Sequence, residues 1–164
     1  MKTAEKNVEI ERKWKLLKLP PEIEHSDFKE VPCVKLEQAY LVSDPETEFR
    51  LRREGPKYFA TRKRGNGLVR EEKQKEIKRE SYLDLIAGMT EGRVVEKWRF
   101  RYKLNGHVLE FDQFEGHLQD LVLLEVEFKS EEDAANFSLP EWVVGAEEVT
   151  GDPQYQNKNL ALQD

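Results

Sequence analysis

Along most of the chain, charged and apolar residues take turns. From Val8 to Trp14, Glu9, Glu11 and Lys13 fall on one side and Val8, Ile10 and Trp14 on the other. A period of two puts alternate side chains on opposite faces of a strand, so the segment predicts a β-strand with one charged face. The same pattern predicts strands over Lys35 to Val42, Glu48 to Arg53, Lys57 to Arg64, Leu68 to Ile77, Val94 to Leu104, Val108 to Phe114 and Leu121 to Phe128. Asp44-Pro45, Gly55-Pro56 and Gly65-Asn66-Gly67 read as turns, and Asn105-Gly106 as a type I′ hairpin turn. Helical interruptions are predicted over Pro20 to Glu30 behind a proline pair, from a Ser81 cap through Met89, over Glu131 to Phe137, and from Asp152 to Leu162. With no internal repeat and no linker, residues 1–164 read as one mainly β domain with short helices.

The charged faces are organised by sign. Two strands carry glutamates two residues apart, Glu9 with Glu11 and Glu125 with Glu127, while others carry paired lysines or arginines at that spacing. Two residues of strand rise span about 7 Å, and carboxylates that close repel unless a cation lies between them. A water-facing antiparallel sheet would need no such sorting. Antiparallel strands closed into a barrel, charged faces inward around a ligand-holding lumen, account for it.

Composition narrows the partners. Charged residues make up 37% of the chain, above the usual quarter, and the net charge is −6. That balance argues against nonspecific nucleic-acid binding but leaves room for a local basic cleft holding an anion. The chain has one cysteine, Cys33, so no internal disulfide can form, and a reducing, cytoplasmic setting is expected. No apolar run approaches a membrane span, and no signal peptide is apparent. His25, His107 and His117 lack zinc-ligand spacing.

If the strand of Glu9 and Glu11 faces that of Glu125 and Glu127, four carboxylates converge, with Asp112 and Glu110 near enough to assist. Such hard oxygen donors suit Mg²⁺ or Mn²⁺. Lys13, Arg50, Arg52, Lys63, Arg70, Lys97 and Arg99 share the charged faces. Arginine grips phosphate oxygens bidentately and lysine supplies a mobile point charge, so the array fits a small substrate with several phosphoryl groups in a row. A metal bridging such oxygens offsets developing charge in phosphoryl transfer. There is no glycine-rich Walker loop.

In order along the chain stand Glu9-Ile10-Glu11-Arg12-Lys13, Gln38-Ala39-Tyr40-Leu41, Phe49-Arg50-Leu51-Arg52, Thr61-Arg62-Lys63, Glu96-Lys97-Trp98-Arg99, Asp112 to Gly116, Glu125-Val126-Glu127-Phe128 and the tail Tyr155 to Ala161. This ordered set resembles the CYTH, or triphosphate tunnel metalloenzyme, family over nearly the whole chain. The resemblance implies an eight-stranded antiparallel barrel binding a triphosphate in its tunnel, and a C-terminal plug helix carrying Tyr155 and Lys158. It implies metal ligation by Glu9, Glu11, Glu125 and Glu127, and phosphate contacts from the lysines and arginines named above. It also implies a functional Tyr40–Lys97 pair. Lys97, Lys158 and Glu72 stand as candidate general bases.

One departure is visible: where the family often has Arg-x-Glu-x-Glu, this chain has Arg70-x-Glu72-x-Gln74. The expected activity is metal-dependent hydrolysis of inorganic tripolyphosphate. Thiamine triphosphatase, nucleoside triphosphatase, adenylate cyclase and a non-catalytic polyphosphate- or nucleotide-binding module remain as alternatives. Trp14, Tyr58 and Trp142 read as packing residues and Cys33 as an ordinary thiol. The apolar strand faces leave a homodimer open.

Overall fold

The computed structural model describes residues 6–27, 29–44, 46–65, 68–88 and 94–161. Eight long strands run in chain order: β1 (Lys6–Leu16), β2 (Cys33–Asp44), β3 (Thr47–Glu54), β4 (Lys57–Arg64), β5 (Val69–Ile77), β6 (Val95–Leu104), β7 (His107–Phe114) and β8 (Val122–Phe128). They pair antiparallel in the order β5-β4-β3-β2-β6-β7-β8-β1, and β1 returns to β5. The sheet therefore closes, as the sorted charges predict, and among the described residues no long strand edge is left unpaired. The first half of β1 pairs with β5, setting Glu9 beside Arg70, and the second half pairs with β8. A two-residue strand, β9 (Glu147–Glu148), adds to β1 from outside and was not apparent in the sequence pattern.

Turn chemistry sets much of the register. Asn105 and Gly106 have φ of 49° and 83°, as a type I′ turn requires, and pair Leu104 with His107. Gly55, at φ 55°, closes the β3–β4 hairpin, where a side chain would be strained.

The outward faces of β1, β7 and β8 form the apolar core, including Trp14, Leu109, Phe111, Leu124, Val126 and Phe128. Over it lie Ile23 of α1 (Pro21–Glu24), Ala134 of α3 (Glu131–Asn136), and Phe137, Leu139, Trp142 and Val143 of the following segment. Ser130 caps α3 by accepting from the Asp133 N–H at 3.0 Å. The opposite wall carries α2 (Arg79–Ala87), beside a depression of about 560 Å³ floored by Phe49, Leu51 and Ala60.

The first and last helices are shorter than their sequence windows, and α2 is shifted two residues earlier. The first stops at Glu24, and the chain turns again at Asp27, whose carbonyl accepts from Val31. α2 begins at Arg79 with Lys78 in the cap position, so Ser81 lies inside the helix and caps nothing. The tail divides into a 3₁₀ turn, Pro153–Tyr155, and α4 (Asn157–Leu160). Pro45, Asn66-Gly67, Met89 and Leu162, named in the predicted turns and helices, lie outside the described residues. No described helix is long and apolar enough to cross a membrane.

Candidate active site

Inward side chains enclose a cavity of about 290 Å³. Its wall holds seven carboxylates (Glu9, Glu11, Glu48, Glu72, Glu110, Glu125, Glu127) and seven cations (Lys13, Arg50, Arg52, Lys63, Arg70, Arg99, Arg101), with Gln74, Gln156 and Asn157. The strands grade this lining from floor to mouth. Along β8, Leu123 is fully buried, Glu125 is 6% exposed, and Glu127 opens to solvent. Along β6, Lys97 is fully buried, Arg99 is 6% exposed and Arg101 is half-buried. Below the charges lies an apolar floor of Tyr40, Val95, Phe114, Leu118, Leu123, Leu160 and Ala161, to which α4 contributes.

The acidic strands turn out to be neighbours and do not face each other across the lumen. Glu11 stands directly opposite Glu127, and Lys13 opposite Glu125. Like charges directly opposite in a ladder repel. Both glutamates are raised, chiefly by burial and by other carboxylates of the lining. Burial, then Glu125 and Glu9, push the Glu11 carboxyl up to about 8. Burial, then Glu9 and Glu110, lift Glu127 to about 7. Glu9 behaves oppositely: burial would raise it, but Lys63 Nζ at 3.0 and 3.1 Å, a hydrogen bond from Glu72 and nearby Arg70 bring it to about 2. Glu72 is raised by burial and then by that bond. One oxygen from each of Glu9, Glu72 and Glu127 lies within 4.8 Å of the others. Octahedral Mg²⁺ with oxygens at about 2.1 Å spans about 4.2 Å between opposite ligands, so a small inward movement suits this set to one hard dication. The oxygen-only donors favour the same kind of ion.

Asp112 is engaged deeper down. It is wholly buried, accepts from Arg99 Nε and Nη2 at 2.7 and 2.8 Å, and lies 2.6 Å from Lys97 Nζ. Arg99 and Lys97 hold its carboxyl below the usual range against the effect of burial. Lys97 is itself lowered, by burial and by Arg99, against the pull of Asp112. Glu125 lies 3.2 Å from Lys13 Nζ and 3.4 Å from Arg99 Nη2, and these cations with Lys97 keep it well below the carboxylate range although burial opposes them. The Lys13 ammonium also donates to the Tyr155 carbonyl at 3.1 Å, tying the cavity wall to the tail. Tyr40 donates to Gln38 Oε1 at 2.6 Å, and burial raises its phenol. Tyr40, Lys97 and Lys158 are buried and do not line the cavity.

The basic side has donors to spare. The Nε atoms of Arg50, Arg52 and Arg70 are buried without a hydrogen-bond partner among the described residues. Buried guanidinium donors without acceptors are costly, and a polyanion in the cavity would satisfy them. Arg70 lies 3.4 Å from Glu48 Oε2, and Arg52 lies 3.3 Å from Glu54.

Of the residues singled out in the sequence, Glu9, Glu11, Glu72, Glu125, Glu127, Lys13, Arg50, Arg52, Lys63, Arg70 and Arg99 come together around the cavity. Asp112, Lys97, Tyr40 and Lys158 lie beneath it. Sequence reasoning passed over Glu48, which shares the parity of Arg50 and Arg52 and was findable on that ground. It also passed over Gln156 and Asn157, which reach the lumen only because the tail folds back under the barrel.

No protein-family model matches the sequence. An inorganic triphosphatase from Nitrosomonas europaea is 42% identical over 156 residues, covering 94% of this chain and 97% of that protein. An inorganic triphosphatase from Acetivibrio thermocellus is 33% identical over 124 residues, covering 75% and 77%. The crystal structure of an inorganic triphosphatase at 40% identity superposes with a TM-score of 0.65, covering 95% of each chain.

Proposed function

Because the chain belongs to the inorganic triphosphatase family, we propose that it hydrolyses inorganic tripolyphosphate with a divalent cation in the barrel lumen, as a single triphosphate tunnel (CYTH) domain. One observation carries this: an enclosed cavity walled only by charged and amide side chains, in which the Nε donors of Arg50, Arg52 and Arg70 lack acceptors. A chain of phosphoryl groups supplies the missing oxygens, while the wall offers no apolar shelf for a base or a thiazolium ring.

Glu9, Glu72 and Glu127 would hold the cation, with Glu11 beside them. Mg²⁺ and Mn²⁺ suit the donors best. When bound, the metal would offset charge on phosphoryl oxygens and lower the pKa of a coordinated water. Lys13, Arg50, Arg52, Lys63, Arg70 and Arg99 would align the phosphate chain and stabilise the spreading charge as the bridging P–O bond breaks. Asp112 and Lys97 would act from below by fixing Arg99 and the floor. Glu72 is the general-base candidate that reaches the cavity, in competition with its place in the metal set.

Phosphate release from tripolyphosphate, ATP, thiamine triphosphate and pyrophosphate, each with Mg²⁺, Mn²⁺ or excess chelator, tests the proposal. Fast turnover of tripolyphosphate that disappears in chelator is expected. Binding without turnover under every metal condition would leave a binding module instead.

A further inference from the structure

Arg52 is held from three directions. Its Nη2 lies 3.3 Å from Glu54 Oε2 and donates to Gln74 Oε1 at 3.4 Å, and its guanidinium stands 4.9 Å from the centre of the Phe59 ring. The Gln74 oxygen also accepts from Thr61 Oγ1 at 3.2 Å. Thr61 and Gln74 are direct ladder partners, so β4 fixes the amide from one side while the amide orients Arg52 from the other. An amide oxygen orients a guanidinium through its dipole and adds no negative charge. The surroundings are short of that charge: burial, then Arg50, press Arg52 down to about 10, and Arg99 adds to the pressure. Its Nε, buried, has no acceptor among the described residues.

We propose that Gln74 is a positioning residue that sets substrate affinity: it aims Arg52 into the cavity without setting a second carboxylate against a guanidinium that Glu54 already pairs. This rests on the triphosphatase reading of the same cavity. A carboxylate at position 74 would have nearly the same shape and would pair with Arg52 as an ion. That pairing would relieve the empty barrel and compete with phosphate.

Wild-type binding and hydrolysis of tripolyphosphate are measured first; absence of both would sink the functional reading itself, separately from this inference. In Gln74→Glu, KM for tripolyphosphate should rise roughly tenfold, the loss of one charge-assisted hydrogen bond, with kcat within about threefold. Its melting temperature in chelator should rise. Gln74→Leu, which removes the acceptor without adding charge, should also raise KM but should not raise the melting temperature. In an Arg52→Ala background, Gln74→Glu should change KM by less than about twofold, because coupled residues are not additive. Unchanged KM in both single variants overturns the inference, and so does a full effect of Gln74→Glu without Arg52. A lowered Mn²⁺ requirement with unchanged tripolyphosphate KM would assign position 74 to the metal site and equally overturn it.

Discussion

Replacing Asp112 by Asn separates two roles for one carboxylate. Asp112 is wholly buried between Arg99, which donates twice to it at 2.7 and 2.8 Å, and Lys97 at 2.6 Å. Asparagine keeps the shape but removes the charge and turns an N–H₂ toward one of the cations. Arg99 would retain Glu110 at 3.2 Å and Glu125 at 3.4 Å, whereas Asp112 is the ion-pair partner that Lys97 loses. Breaking one side of a buried ion pair costs about 3–5 kcal/mol. For a chain of this size each kcal/mol moves Tm by about 2–4 °C, so the expected drop is on the order of 10 °C. Thermal unfolding in excess chelator isolates this from metal binding, and a parallel Mn²⁺ titration measures the other role. Adding Lys97→Met should recover part of the loss, because one orphaned cation goes with it. The pH dependence has a fixed sign. Asp112 is depressed in the folded state, so its stabilisation is present above its unfolded value and is lost as pH falls through the folded one. Wild type and variant should therefore converge in acid. An unchanged Tm in chelator together with a collapsed Mn²⁺ affinity would refute this reasoning and return Asp112 to the metal site.

Glu9→Gln and Glu127→Gln should each lower turnover by about 10²-fold or more and weaken Mn²⁺ binding; near-normal rates at low Mn²⁺ would count against their place in the cation site. Glu11 titrates near 8 and Glu127 near 7 in the metal-free protein, so metal binding near neutral pH should expel protons. Calorimetry in buffers of different ionisation enthalpy checks this, and apparent affinity should rise between pH 6 and 8; buffer-independent heats would contradict it. Tyr40→Phe removes the donor to Gln38 below the cavity. It should cost about 1 kcal/mol of stability and leave kcat within a few fold, whereas a hundredfold fall in kcat at constant Tm would make the phenol a direct participant.

The period-two sorting of charge carried most of the architecture, because it specifies which side of a strand each residue occupies. It does not specify depth along the barrel axis, and depth separates Asp112, pinned under the cavity, from Glu72, which reaches the metal-sized cluster. Part of that depth was nonetheless encoded. The Asn105-Gly106 turn pairs Leu104 with His107, and counting outward sets Arg99 against Asp112. Closure was harder to see. Nothing in the alternation states that β1 divides its length between β5 and β8, so Glu11 and Glu127 looked like opposing walls when they are partners on one rung of neighbouring strands. The Ser81 cap failed because the helix begins earlier, at Arg79, where no capping side chain marks the start.

The apolar floor confines a bound polyanion to the charged part of the lumen. Orthophosphate and pyrophosphate carry the same kind of oxygens as the intact chain and would hold to the same cations, so accumulated product should slow the enzyme by occupying the lumen.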